Sequence, residues 1–411
     1  MFFKNWIHKY NLTEILLLVL VLIIPLEKTT MRILLVVITV TALIKGKYNV
    51  FKSNISWVKL ILTLLWILPF AQLIVFNGLS DHWSHLETKL SLLLLPIIFL
   101  LDVNINKNFI NELAKIFIVG CCISITICLI KASYSSFILG IDNSFYYKNL
   151  SVFHHPSYYT MYINFGVGLL YLNLISATPL FNINKKLLWL MIVSFTLFIV
   201  LVSSRTGWIS NFMINSIFVI ILIKRKFFKQ KHIFYLISLL IVIGGLINFS
   251  PSLKNRFNEI INHTLYADQQ SEYPSSTSTR IKAWKSASVL IKDHWLFGLG
   301  TGIGAIELNE IYTIKEYYSL NKKNTNTHNQ YLQYLLDHGT IGLIFLLFFT
   351  LIMLIKSFIS KEFMYTLFIG IIIINFMTES VLETQSGVIF FAFFNTLFFF
   401  QWINNKYVIV D

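Results

Sequence analysis

SPSLKNRFNEIINHTLYADQQSEYPSSTSTRIKAWKSASVLIKDHWLFGLGTGIGAIELNEIYTIKEYYSLNKKNTNTHNQYLQYLLDHG, Ser250–Gly339, is the one long polar stretch in an otherwise nearly continuous apolar chain. The 411 residues are 56% hydrophobic and only 13% charged, with 37 Phe. Soluble domains are about half apolar and a quarter charged, so this balance describes an integral membrane protein. The net charge of +14 does not indicate nucleic-acid binding, because Lys and Arg sit in short runs between apolar segments. Cys121, Cys122 and Cys128 share one apolar segment and offer neither a disulfide framework nor a CxxC metal site.

Outward from this stretch, apolar runs fall at 12–26, 30–45, 57–76, 89–101, 109–131, 156–176, 187–203, 207–223, 233–249, 339–356, 363–379 and 386–403. They predict an all-α integral membrane protein of about 12 transmembrane helices. Helices 1–9 occupy 1–249, one large outer loop occupies 250–338, and helices 10–12 with a short tail occupy 339–411. The run at 89–101 is short for a crossing, which needs roughly 20 residues, and predicts a re-entrant segment or a break at Pro96. The run at 30–45 is marginal for the same reason. Lys4 and Lys9 before the first run resemble a signal peptide, but Glu27-Lys28-Thr29-Thr30 offers no small-residue cleavage site. A retained first helix is expected.

Charge orients the spans. Lys45, Lys47, Lys52 and Lys59, then Lys185 and Lys186, then KRKFFKQK (Lys224–Lys231), then Lys356 and Lys361 fall on one side. Asp81, Glu87, Glu379 and Glu383 fall on the other. The positive-inside rule predicts cytoplasmic termini and an outward-facing 250–338 loop. On that topology every histidine except His8 and His232 is on the outer side, with His154 and His155 in an HHP at a helix start. Histidine titrates near neutrality and suits proton transfer, although polar residues also collect in long loops for no functional reason.

Within the loop, Leu253, Phe257, Ile260, Ile261 and Leu265 share a face and predict an interfacial amphipathic helix, followed by a flexible loop over 266–278. Thr279 or Ser278 caps a second helix with a buried stripe of Ile281, Trp284, Ala287, Ser288 and Ile291. Arg280 stands in its first turn, on the edge of the stripe. The glycines of GLGTGIG (Gly298–Gly304) lack the Gly-Lys-Ser/Thr ending of a phosphate loop, so they predict a tight turn before a helix at about 303–318. His328 opens a short helix that Gly339 ends; such a histidine is a cap, a surface group or a base. His328 and His338 lie ten residues apart and no HExxH occurs, so a metal site is not expected. Arg205, in SSRTGW between the seventh and eighth runs, reads either as functional or as an interfacial anchor.

SSRTGW at a helix–helix turn, then TRIKAW in one large outer loop, then WLFGLGTGIG and THNQYLQYLLDHGTIG, together resemble the O-antigen ligase and O-antigen polymerase superfamily over about 200–345. The first five runs match only in hydropathy. The resemblance implies a GT-C-like, metal-independent glycosyltransferase without cofactor, lying in the bacterial inner membrane with its active site on the periplasmic side. Its donor would be a glycan on undecaprenyl diphosphate, and its acceptor lipid A-core or another glycan. By motif, Arg205, Arg280 and His328 match the positions that carry function. Guanidinium forks hold a diphosphate bidentately and offset its developing charge, and the imidazole takes or orients the acceptor hydroxyl proton. Glu379, Glu383, His154 and His155 are alternative bases, and His155 and Glu379 are further candidates for substrate binding.

Within the superfamily the single late loop leans the reading toward a ligase, since polymerases often carry two sizeable loops. An oligosaccharyltransferase commonly has an added C-terminal region, and this sequence stops at Asp411. From other classes, an exporter or flippase predicts polar residues lining several helix middles and internal repeats, neither of which stands out in the sequence. A scaffold without catalysis predicts dispensable arginines.

Overall fold

A computed structural model describes residues 9–49, 54–76, 83–225, 276–321 and 325–407, with residues 244, 245, 254 and 258 in isolation. All regular structure among them is helical. Every apolar run of the sequence except the ninth is helical over most of its length. The ninth run at 233–249, the basic residues after Arg225 and the expected amphipathic helix at 253–265 lie outside the described residues. By length and apolarity, 7 helices among the described residues suffice to cross a membrane.

In chain order, α1 spans Leu12–Ile23, α2 Lys28–Lys45, α3 Asn54–Leu60 and α4 Leu64–Phe76. Next come α5 (Trp83–Lys89), α6 (Ser91–Asp102), α7 (Lys107–Phe137), α8 (Tyr147–Leu150), α9 (Pro156–Ile175), α10 (Lys185–Val202) and α11 (Arg205–Lys224). After the polar stretch begins, α12 covers Ser276–Asp293, α13 Ile303–Ile314 and α14 Tyr318–Asn321. The last three are α15 (Gln330–Ile359), α16 (Phe363–Phe376) and α17 (Gln385–Tyr407). The expected break at Pro96 does not occur. Leu90 keeps helical angles between α5 and α6, so the run extends back to Trp83 and reaches 20 residues.

Two units form. One comprises Leu17–Arg32 and Lys107–Asp268, the other Met1–Leu16, Ile33–Asn106 and Gln269–Asp411. The first is built around α9, whose residues from Pro156 to Leu174 are all buried, as befits a helix surrounded on every side. Lipid is as apolar as Leu, so helices in a bilayer associate through close packing and hydrogen bonds instead of the hydrophobic effect. Here both devices are visible. Asn164 donates to the Gly207 carbonyl at 3.0 Å, Asn211 donates to Asn164 at 3.1 Å, and Asn215 donates to the Asn211 side chain at 2.9 Å. Tyr171 closes the ladder by donating to Asn215 at 2.7 Å. These mid-helix polar groups tie α9 to α11 and satisfy one another.

In the second unit the phenylalanines do the packing. Phe368 of α16 contacts Phe390, Phe394 and Phe398 of α17 at centroid distances of 5.6, 5.9 and 5.9 Å, and Phe99 of α6 meets Phe393 edge-on at 5.5 Å. The polar stretch packs through a small core in which Ala283 and Ala287 of α12 meet Leu308 and Tyr312 of α13, Leu320 of α14 and Leu336 of α15. The expected stripe on α12 is therefore rotated. Of its residues only Ala287 is buried, joined by Ala283 and Ser286, while Ser288 is exposed. Small residues let α12 approach closely, and the larger Ile281 and Trp284 are left at the rim. The helix also starts at Ser276, so Ser278 and Thr279 lie inside it instead of capping it.

The glycine run is neither a nucleotide loop nor a simple turn. Gly298, Gly300 and Gly302 have φ of 74°, 99° and 90°, and Gly339 (φ 64°, ψ −167°) breaks the helical path inside α15. The break frees carbonyls and amides of α15, and the glycine run takes them up. Leu299 and Gly300 donate to the Leu336 and Asp337 carbonyls, both at 2.9 Å, and the Thr340 and Ile341 amides donate to the Trp295 and Leu296 carbonyls at 2.8 and 3.5 Å. Gly339 thus kinks α15 and does not end it. A Cβ at Gly339 would lie 2.2 Å from the Leu296 carbonyl oxygen, in a left-handed conformation besides. Gly339→Ala is expected to destabilise the protein by about 2 kcal/mol or more, read as a lower thermal midpoint in detergent.

Candidate active site

Glu379 lies just beyond α16, its carboxylate only 3% exposed. Its Oε1 accepts from Arg280 Nη2 at 2.7 Å, and its Oε2 lies 3.0 Å from His328 Nδ1. The sequence separations are 99 and 51 residues, so only the fold brings these three groups together. Arg280 is positioned by the Ala-faced packing of α12, and its Nε is buried with no hydrogen-bond partner among the described residues. His328 precedes α15 instead of opening it, with the left-handed φ of 49°. Its backbone N–H is held by Asn326 Oδ1 at 3.0 Å, and Asn329 caps α15 by accepting from the Leu332 amide. Asn329 also donates to the Met377 carbonyl, tying the segment before α15 to the end of α16. The Trp284 indole donates to the Thr327 carbonyl at 2.8 Å, so α12 fixes the same segment from the other side.

Such an arrangement can hold a proton acceptor. A carboxylate on Nδ1 favours the tautomer with the proton there and turns Nε2, with its lone pair, toward whatever approaches. His328 is 30% exposed and reachable, whereas Glu379 is closed off. Arg280 supplies the counter-charge beside the buried carboxylate. It is thus not a bare guanidinium awaiting an anion, since one Nη atom is committed to Glu379.

Arg205 and His155 belong to the other unit. Arg205 is the first residue of α11, capped by Ser204, whose Oγ accepts from the Gly207 amide. A cation at the positive end of a helix is electrostatically unfavourable. Gly207 lies so close to α9 that a Cβ there would fall 2.5 Å from Thr160 Oγ1. Gly207→Ala is expected to displace the start of α11 and cost about 1–3 kcal/mol in unfolding measurements. His155 caps α9, its Nδ1 accepting from the Ser157 amide at 3.5 Å. His154 is a poor alternative base, because burial pushes it down to about 4. Glu383, the remaining alternative, is paired with Lys89 at 2.9 Å.

The matched motifs now have a context. Residues 186–347 match the O-antigen ligase family. The superfamily resemblance read from SSRTGW, TRIKAW, the glycine run and THNQYLQYLLDHG is borne out over that segment. The O-antigen ligase match contains Arg205, Arg280 and His328, whereas His155 and Glu379 lie outside it. No curated protein matches the chain. Glu379 was visible in the sequence only as a carboxylate ending an apolar run. Lys89, Gln330 and Gln333, which lie beside the site, carried no sequence signal.

Proposed function

We propose that this protein is an O-antigen ligase-type glycosyltransferase that moves a glycan from undecaprenyl diphosphate to a lipid A-core or similar acceptor sugar at the outer face of the inner membrane. The observation that carries the reading is the Arg280–Glu379–His328 constellation, which joins a cation, a buried carboxylate and an oriented imidazole. The acceptor hydroxyl attacks the anomeric carbon of the donor, and its proton passes to His328 Nε2. The bond from that carbon to the diphosphate oxygen breaks, and the leaving diphosphate carries away the electron pair. Arg280 offsets the charge that develops on the diphosphate, and Arg205, matched by motif, is a further functional residue of this reading. A mostly apolar groove of about 410 Å³ lined by Ile281, Trp284, Lys285, Ser288, Val289 and Lys292 lies on the helix that carries Arg280.

The direct test is the lipopolysaccharide profile of a deletion strain. Loss of all long chains with intact core is the expected result. Core carrying a single repeat unit would replace ligation with polymerisation, and an unchanged profile would overturn both.

A further inference from the structure

Lys89, the last residue of α5, is buried at 1% exposure with its Nζ 2.9 Å from Glu383 Oε1. Gln330 Nε2 donates to the same carboxylate oxygen at 3.4 Å, and Gln330 Oε1 accepts the Leu382 amide at 2.6 Å. Gln330 stands two residues after His328, and Leu382 three after Glu379. A parallel set of bonds runs beside it: Gln333 Oε1 accepts from Thr327 Oγ1 at 3.1 Å, Gln333 Nε2 donates to Asp337 at 2.9 Å, and Thr327 Oγ1 meets Ser380 Oγ at 3.4 Å. Asp337 lies within electrostatic reach of both Lys89 and Glu383. The segments that carry the imidazole and its carboxylate are therefore laced together by bonds besides the His328–Glu379 contact, and Lys89 anchors the lace.

A buried ion pair is weak evidence for stability, since apolar residues of similar volume often replace one without loss. What such a pair supplies is geometry, and here the geometry held is that of a proton acceptor and the group that orients it. We propose that Lys89, acting through Glu383 and Gln330, is a positioning residue that sets the register between His328 and Glu379; this rests on the transferase reading above. Misplacement of a reacting group by about 1 Å lowers a rate by as much as 10²-fold, so a lock at this point governs turnover more than substrate binding.

The test uses full-length protein in lipid nanodiscs and two double variants, because Lys89→Met alone leaves a buried carboxylate unpaired and is liable to misfold. Lys89→Gln/Glu383→Gln removes both charges but keeps a hydrogen-bonded bridge to Gln330. Lys89→Met/Glu383→Met removes the bridge as well. With a polyprenyl diphosphate-linked glycan as donor, the Gln pair is expected within about threefold of the parent. The Met pair is expected to lose about 10-fold or more in kcat with KM within about twofold and the thermal midpoint retained. Hydrogen exchange of the 379–383 amides should quicken in the Met pair alone. Equal kcat in the two variants, or a kcat loss without faster exchange at 379–383, would overturn the proposal. If the parent transfers no glycan, the transferase reading fails by itself, and the exchange measurement still decides whether Lys89 holds the turn.

Discussion

Glu379→Gln is expected to lower glycan transfer by about 10²–10³-fold while leaving the protein folded. The substitution preserves volume and can still accept from Arg280, but it removes the charge that balances the guanidinium. The amide also presents oxygen or nitrogen to His328 Nδ1 with similar ease, so the imidazole no longer has a single favoured tautomer. A purified variant with an unchanged thermal midpoint and a rate within a few-fold of the parent would remove Glu379 from the mechanism. Glu379→Ala should be worse, because it leaves the Arg280 charge partly buried, at 17% side-chain exposure, with no carboxylate beside it.

His328→Ala should produce the largest effect, about 10²–10⁴-fold in kcat, the range a positioned general base contributes. Binding of the donor should change far less, since the charge of the diphosphate is proposed to fall to Arg280. Donor affinity measured on the inactive variant by a lipid-linked glycan binding assay checks the partition. Tight binding with no turnover is the expected outcome, and loss of both together would instead place His328 in donor recognition. The two variants form a cycle. If the carboxylate acts only through the imidazole, Glu379→Gln in the His328→Ala background should cost little more.

The helices were legible because composition decides them: a run of about twenty apolar residues has few other destinations. The arginine and histidine positions were legible through motif order. Their partner was not, since Glu379 meets Arg280 and His328 only after α12, α15 and α16 pack, and no periodicity encodes that meeting. Lys89 was hidden for a related reason. At the start of an apolar run it reads as a flanking charge, and only the fold shows it turned inward against Glu383. Pro96 misled in the opposite direction, as helical angles at Leu90 join two short helices into one passage. On α12 the period was right and the buried face was off by one position, because a close helix contact selects alanine over the bulkier residues that hydropathy favours.

The exchange of backbone bonds between 295–300 and 336–341 has a practical consequence for anyone building chimaeras of this protein. The polar stretch looks like a cassette that could be cut at Gly339 and swapped. It is instead spliced into the following helix by four main-chain hydrogen bonds on both sides of the kink. A functional graft must carry its own copy of both strands of that splice, with the crossover placed below Ile341 in the regular part of α15.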